Sequence, residues 1–341
     1  MNVRGLILTA VAVVFALTGC LTRPETDKTA LGERRIVGYF PAAAIALEQY
    51  NPGLEYLTHI NLWFFNYDRK GEISSPRVST LMLKRFIAEA HGEQTKVFVS
   101  IGGGHVTART EAGRRYLTLF REKNFEPIIE ALIRFADSTG IDGIDLDFEG
   151  DMMVPEYSDF IIELADAIAD KPYQLSGAFG YWGARKMRDA AVTSFDFLNL
   201  MIYNESGLFD KELKDHSSFA HVEKTVAYWQ NQRGIDRSKL VIGVPFYGWQ
   251  RTVDADGRIL NEGSITYREI SENYPEQSLN SDFLTLPTEE GGRTVITFNS
   301  LDLIRKKSHY ARSFGGIMAW HIAQDTPDLS LLQAVYLGLI D

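Results

Sequence analysis

Cysteine is almost missing: the chain has one in 341 residues, so it can build neither a disulfide framework nor a thiolate zinc site. A basic surplus is missing too. Lys and Arg total 35 against 45 Asp and Glu, giving a formal charge of −10, and no run of five or six basic residues could follow a phosphate backbone, so no nucleic-acid partner is expected. No apolar run reaches the roughly 20 residues of a bilayer-spanning helix. The seven histidines (59, 91, 105, 216, 221, 309 and 321) show no ligand spacing, His216 and His221 being five apart rather than four, and no metal is expected. Gly102-Gly103-Gly104 is not followed by GK[ST], which argues against a phosphate loop, and no cofactor is implied. What remains, 45% hydrophobic and 23% charged residues with 28 Gly and 11 Pro, is the balance of a folded globular protein with a sizeable core.

The longest apolar stretch, Leu6 to Leu17 broken only by Thr9, follows Arg4 and ends at Leu17-Thr18-Gly19-Cys20. That is a signal-peptide pattern. Leu-Thr-Gly-Cys resembles a bacterial lipobox, which implies that residues 1–19 are a lipoprotein leader and Cys20 the lipidated first residue of the mature protein. Leu21 rather than Asp at the next position fits sorting to the outer membrane in a Gram-negative cell. Residues 20–33, polar and Pro-containing, read as a tether, leaving 34–341 as the folded domain.

Eight short apolar runs then recur. They are Arg35–Phe40, Thr58–Asn66, Thr95–Ile101, Asp142–Phe148, Gln174–Phe179, Phe195–Tyr203, Lys239–Phe246 and Gly315–Trp320. Amphipathic segments lie between them, among them Ser79–Ala90, Phe125–Ser138, Tyr157–Ala169 and Ala220–Gln232, with apolar residues at three- and four-residue spacing. Alternating strand and helix implies parallel strands with crossovers, and eight such units fit an α/β (β/α)₈ barrel, with a doubly wound open sheet as the alternative. Residues 249–298 are polar and Gly- and Asn-rich and break the rhythm, as a long loop or a small insertion.

One run carries chemistry. In Asp142-Gly143-Ile144-Asp145-Leu146-Asp147-Phe148-Glu149, the acids 145, 147 and 149 alternate with apolar residues, so on a strand they share one face. In a barrel that face points to the axis, with the last acid at the C-terminal mouth where barrel chemistry sits. Carboxylates about 6.6 Å apart along a strand can share protons through bridging contacts.

This run resembles the DxxDxDxE signature of glycoside hydrolase family 18, the chitinases and endo-β-N-acetylglucosaminidases. The resemblance extends over nearly the whole mature chain and keeps the family's order. Val37-Gly38-Tyr39 with Thr58-His59-Ile60-Asn61 looks like the first two strands, Ser100-Ile101-Gly102-Gly103 the SxGG of the third and Met201-Ile202-Tyr203 the MxY of the sixth. Gly243-Val244-Pro245-Phe246-Tyr247-Gly248 is similar to the GxPFYG of the seventh, and Gly315 to Trp320 to the eighth with its tryptophan.

The resemblance implies retaining, substrate-assisted hydrolysis next to N-acetylglucosamine, with one catalytic acid and no enzyme nucleophile. Glu149 would be the acid and then the base, Asp147 would accept from the acetamido N–H, Asp145 would share the proton of Asp147, and Tyr203 would hold the acetamido carbonyl. The neighbouring carboxylates are expected to raise the pKa of Glu149. Trp320 would floor the sugar site, Tyr39, Phe64, Met201 and Tyr247 would wall it, and Asn204 would bond the substrate. Ser100, Gly102, Gly103 and Asp142 would support the acids. The implied partner is an N-acetylglucosamine oligo- or polysaccharide, bound by a monomer held to the membrane through its lipid.

Two departures from the family pattern stand out. Asn204 and the pair Phe148 and Gly150 replace an Asp and an aromatic common in the family, and with Asn204 in place of a charge the pH optimum is expected to lie lower. The segment 249–298 is short for the family's α+β insertion and is expected to be reduced or missing, leaving a shallower groove. Chitin oligosaccharides are the expected substrate. The alternatives are N-glycan release, peptidoglycan cleavage or noncatalytic sugar binding.

Overall fold

A computed structural model describes residues 26–47, 51–75, 77–205 and 215–341. All eight expected strands form, within two residues of the expected ends: β1 (Arg35–Pro41), β2 (His59–Tyr67), β3 (Lys96–Gly102), β4 (Gly143–Asp147), β5 (Gln174–Gly180), β6 (Phe197–Met201), β7 (Leu240–Pro245) and β8 (Gly316–Trp320). Each pairs in parallel with the next, and β1 pairs with both β2 and β8. The sheet therefore closes on itself as a barrel, and the open doubly wound alternative falls away.

Period 2 sorts the side chains. Ile144 and Leu146 of β4 face outward into the layer shared with the helices, while Val37, Tyr39, Phe98, Ala178, Phe197, Val241 and Met318 form a separate inner cluster. Between apolar residues inside the barrel lie Asn61, Ser100, Asp145, Ser176 and Asn199, all fully buried. The register places Ser100 beside Asp145 and Asp145 beside Ser176 on neighbouring strands.

The helices follow their caps. Thr80–Gly92 starts where the Ser79 hydroxyl accepts from the Met82 N–H. Glu126–Thr139 buries Ile128, Ile129, Leu132 and Ala136, and ends at Gly140 with φ +82°, the left-handed cap that turns the chain into β4. The expected Tyr157–Ala169 helix runs Pro155–Ala167, and the expected Ala220–Gln232 segment is Phe219–Ala227 continued by a π-helical turn over Tyr228–Gln232. Among the described residues no helix is long and apolar enough to cross a membrane.

One expectation is settled and one needs correction. Residues 249–298 are the small insertion, neither a long loop nor missing: Tyr247–Val253, Ile259–Thr266, Phe283–Pro287 and Arg293–Thr297 form a four-stranded antiparallel sheet, with short helices at Tyr267–Asn273 and Pro275–Asn280. Its outer strand Ile259–Thr266 is mostly exposed, so it lacks the apolar alternation that marks a half-buried strand. The tether is also shorter than 20–33. Residues 28–31 form a 3₁₀ turn with Leu31 buried, the Tyr336 hydroxyl accepts from Asp27 N–H at 2.7 Å, and Lys28 Nζ donates to Leu54 O and Thr95 Oγ1 at 2.8 and 2.9 Å and to Glu93 O. A polar segment can dock when its charges find buried carbonyls, which composition does not reveal. Residues 20–25, with Cys20 and the leader, lie outside the described residues.

Candidate active site

The expected acids sit where the barrel puts them. Asp145 and Asp147 point inward from β4, and Glu149 follows just past its end, half-buried at the mouth. Asp145 accepts four hydrogen bonds. Tyr39 OH and Ser100 Oγ donate to its Oδ2, both at 2.7 Å, while Ser176 Oγ at 2.6 Å and Asn199 Nδ2 at 3.2 Å donate to Oδ1. Burial pushes its pKa up, the four donors oppose that, and it stays raised. Asp147 is 2% exposed and raised much further, by burial and then by the charges of Glu149 and Asp145. Glu149 is also raised, by burial, rather than chiefly by its neighbours as the sequence suggested.

The support residues act through backbone geometry. Gly102, at φ +108°, lets β3 approach β4: a Cβ there would lie 2.6 Å from Asp147 O. Gly103 donates its N–H to Asp147 O at 2.7 Å, and a Cβ on it would strike the Phe64 ring at 2.4 Å. Asp142 lies at the opposite end of the barrel, where its carboxylate accepts from Val97 N–H and His91 Nε2, both at 2.8 Å, and pins β3 to β4.

Two cavities meet at Glu149. One of about 410 Å³ is lined by Phe64, Gly104, His105, Asp147, Tyr247 and Trp320, the other of about 500 Å³ by Phe148, Met153, Tyr181, Lys186, Glu205 and Lys224, and they share Glu149, Gly180, Met201, Tyr203 and Asn204. Phe64 reaches its place because the β2–β3 register slips between Trp63 and Phe65, a bulge that turns the ring toward the mouth. Trp320 stacks on Trp63, with centroids 5.5 Å apart and planes 29° apart, and the smaller cavity opens against it. Asp147 Oδ1 and the Tyr203 hydroxyl are both buried, and neither finds a hydrogen-bond partner among the described residues. A buried acceptor and a buried donor left unpaired are costly unless a ligand completes them. Burial, with the charges of Tyr247 and the three acids, holds the Tyr203 phenol well above its usual range, so it stays a donor.

The family model for glycosyl hydrolases family 18 matches residues 35–325. The chain belongs to that family. The family 18 enzyme is 25% identical to the probable chitinase 10 of Drosophila melanogaster over 67% of this chain, but spans only 12% of that relative's length. It is 24% identical to the class V chitinase of Arabidopsis thaliana, over 84% of this chain and 85% of the relative. Among solved structures it resembles the chitinase ChiB of Flavobacterium johnsoniae, from that organism's chitin utilization locus, with a TM-score of 0.75, 26% identity, and coverage of 90% of this chain and 94% of that one.

Within this glycoside hydrolase, one site expectation changes. Tyr39 is not a cavity wall: it is 1% exposed, its ring lies under Trp320 at 5.3 Å and its hydroxyl holds Asp145, because an inward β1 side chain points down the barrel axis. Asn204 lines both cavities, and its Oδ1 accepts from Tyr247 OH at 2.7 Å and Trp249 Nε1 at 2.9 Å. Tyr247 lines the smaller cavity with its hydroxyl proton given to Asn204. Phe64, Met201 and Trp320 also line the smaller cavity. Ser176, Asn199 and Trp63 were missed, although Ser176 and Asn199 are polar residues at inward positions of apolar strands, a signal period 2 could have found.

Proposed function

We propose that the protein is a chitinase, hydrolysing β-1,4 linkages next to N-acetylglucosamine with retention. One observation carries this: the unpaired Asp147 Oδ1 and Tyr203 hydroxyl line one cavity beside Glu149. An acetamido group offers an N–H to the first and a carbonyl to the second, so it answers both.

Glu149, whose pKa burial raises, gives its proton to the glycosidic oxygen. As the C1–O bond breaks, the acetamido oxygen bonds C1 from the other face to form an oxazolinium ion, and the leaving chain departs with the proton. Asp147 supports the positive charge growing on the acetamido nitrogen, Asp145 takes part of the proton load, and Tyr203 keeps the carbonyl in line. Water then attacks C1, the ring opens back to the acetamide, and Glu149 recovers a proton from that water. The sugar ring stacks on Trp320.

N-glycan release and noncatalytic binding are not favoured: the relatives above are named chitinases, and the acid, the acetamido acceptor and the tyrosine are all present. Soluble enzyme (residues 21–341) and its Glu149→Gln variant, given N-acetylglucosamine oligomers and a high-mannose glycoprotein, test this. Di- and trisaccharides from the oligomers with wild type alone support it, and glycan release from the glycoprotein overturns it.

The chain is also proposed to be exported and lipid-anchored through Cys20 to the cell envelope, as a monomer. Metabolic labelling with an alkynyl fatty acid should mark it, and labelling that survives Cys20→Ala refutes the anchor.

A further inference from the structure

Lys307, on the helix Leu301–Ala311 that follows the insertion, is completely buried and takes no part in the chemistry above. A buried ammonium needs its donors satisfied. Lys307 Nζ donates to Ser217 Oγ at 2.8 Å, to Asn299 Oδ1 at 2.6 Å and to Ser217 O. All three acceptors are neutral, and among the described residues no carboxylate lies within ion-pair distance of it.

Ser217 passes that hold onward. Its hydroxyl donates to Ile202 O at 2.6 Å, its carbonyl also accepts from Asn299 Nδ2 at 3.2 Å, and the carbonyl of His216 accepts from Glu205 N–H at 2.9 Å. Ile202 immediately precedes Tyr203. The segment Ile202 to Glu205 is thus clamped at both ends by residues 216 and 217, which Lys307 and Asn299 secure from behind. The His216 ring packs on Tyr247 at 5.2 Å, and Tyr247 holds Asn204.

We propose that Lys307 is a positioning residue for hydrolysis: through Ser217 it fixes the Ile202–Tyr203–Asn204 segment and so places the Tyr203 hydroxyl against the substrate's acetamido group. The proposal rests on the role given to Tyr203 above. An apolar side chain of the same length would leave Ser217 Oγ, Asn299 Oδ1 and one site on Ser217 O without their donor, so the segment could relax only by shifting.

The hold also depends on charge. Burial lowers the Lys307 pKa to about 7 against the opposing pull of Asp215, Asp282 and Glu205, while His216 beside it is held neutral, lowered by burial to about 3. Below about pH 7 the ammonium has three N–H groups for three acceptors. Above it, the neutral amine has two, and one contact is lost.

The test compares wild type with Lys307→Met, Lys307→Arg, Ser217→Ala and the double variant Lys307→Met/Ser217→Ala, measuring melting temperature and then kcat and KM on the N-acetylglucosamine tetramer from pH 5 to 9. A misplaced Tyr203 should lower kcat in Lys307→Met by about 10- to 100-fold with KM little changed. Ser217→Ala should fall in the same direction, and the double variant should be no worse than Lys307→Met, because both act through one route. Any part of the alkaline fall in kcat that comes from Lys307 losing its proton near pH 7 should be absent from Lys307→Met, leaving only the limb set by Glu149. A folded Lys307→Met enzyme with wild-type kcat overturns the proposal. So does wild-type kcat in Ser217→Ala, which decides the matter where Lys307→Met does not fold. Wild type that cleaves no tetramer overturns the chitinase reading and this proposal with it, whereas active wild type with unaffected variants overturns this one alone.

Discussion

Replacing Tyr39 by Phe removes one hydroxyl and leaves the ring in place, and its effect on the acid pair can be worked out from contacts. Asp145 is fully buried and its raised pKa is a balance between burial and four donors. The Tyr39 hydroxyl is one of two that meet Oδ2. A hydrogen bond to a charged group contributes about 1.5–3 kcal/mol, and at about 1.36 kcal/mol per pKa unit its loss raises Asp145 by about 1–2 units. The charge of Asp145 also bears on Asp147, so the shift is read on the two carboxyls together rather than assigned to one. The pair must be at least partly ionised to accept the acetamido N–H, so the acid limb of kcat/KM should move to higher pH by about 1–2 units. The alkaline limb, set by Glu149 losing its proton, should stay. The assay is kcat/KM against pH on a chromogenic N-acetylglucosamine oligomer, with Tyr336→Phe as the same chemical change made at the far end of the barrel. An acid limb that stays within about 0.3 unit of wild type, or moves down, refutes the idea that these donors set the pair's titration.

Asn204→Asp keeps the acceptor for Tyr247 and Trp249 but adds a negative charge to cavities that Glu149 also lines. The sign follows: a nearby anion disfavours ionised Glu149, so its pKa rises and the alkaline limb moves up by about 0.5–1 unit, and an unchanged profile refutes this. Gly102→Ala forces a Cβ to within 2.6 Å of Asp147 O at φ +108°, and urea unfolding should show a loss of at least about 2 kcal/mol. Lys28→Met removes the contacts that staple the N-terminal turn, and the same unfolding measurement should register a loss of about 1–2 kcal/mol; no loss means the docking is incidental.

The barrel was legible because its strands are both apolar and regularly spaced, and the acids because period 2 on β4 forces Asp145 and Asp147 onto the axis. Other features leave no such mark. The outer strand of the insertion is mostly solvent-facing, so its sequence carries no burial pattern. The inward position of Tyr39 was readable, but whether its hydroxyl meets sugar or Asp145 depends on a residue 106 positions away. The bulge that turns Phe64 is a register event between two strands. Lys307 reads as one more helix cation, since its partner Ser217 lies 90 residues earlier in the chain.

The docked N-terminal turn sets a direction. Its partners Leu54, Glu93 and Thr95 lie just ahead of β2 and β3, at the end of the barrel where strands begin, while Glu149 and Trp320 lie where strands finish. Seven residue steps lead from Cys20 to Asp27, a span of at most about 25 Å. Were the proposed acyl chain at Cys20, the tether would join the barrel at the end opposite Glu149, and the cleft would open on the side away from the attachment point. Polymer would then reach the catalytic face, and cut ends would leave it, on the side opposite the attachment point.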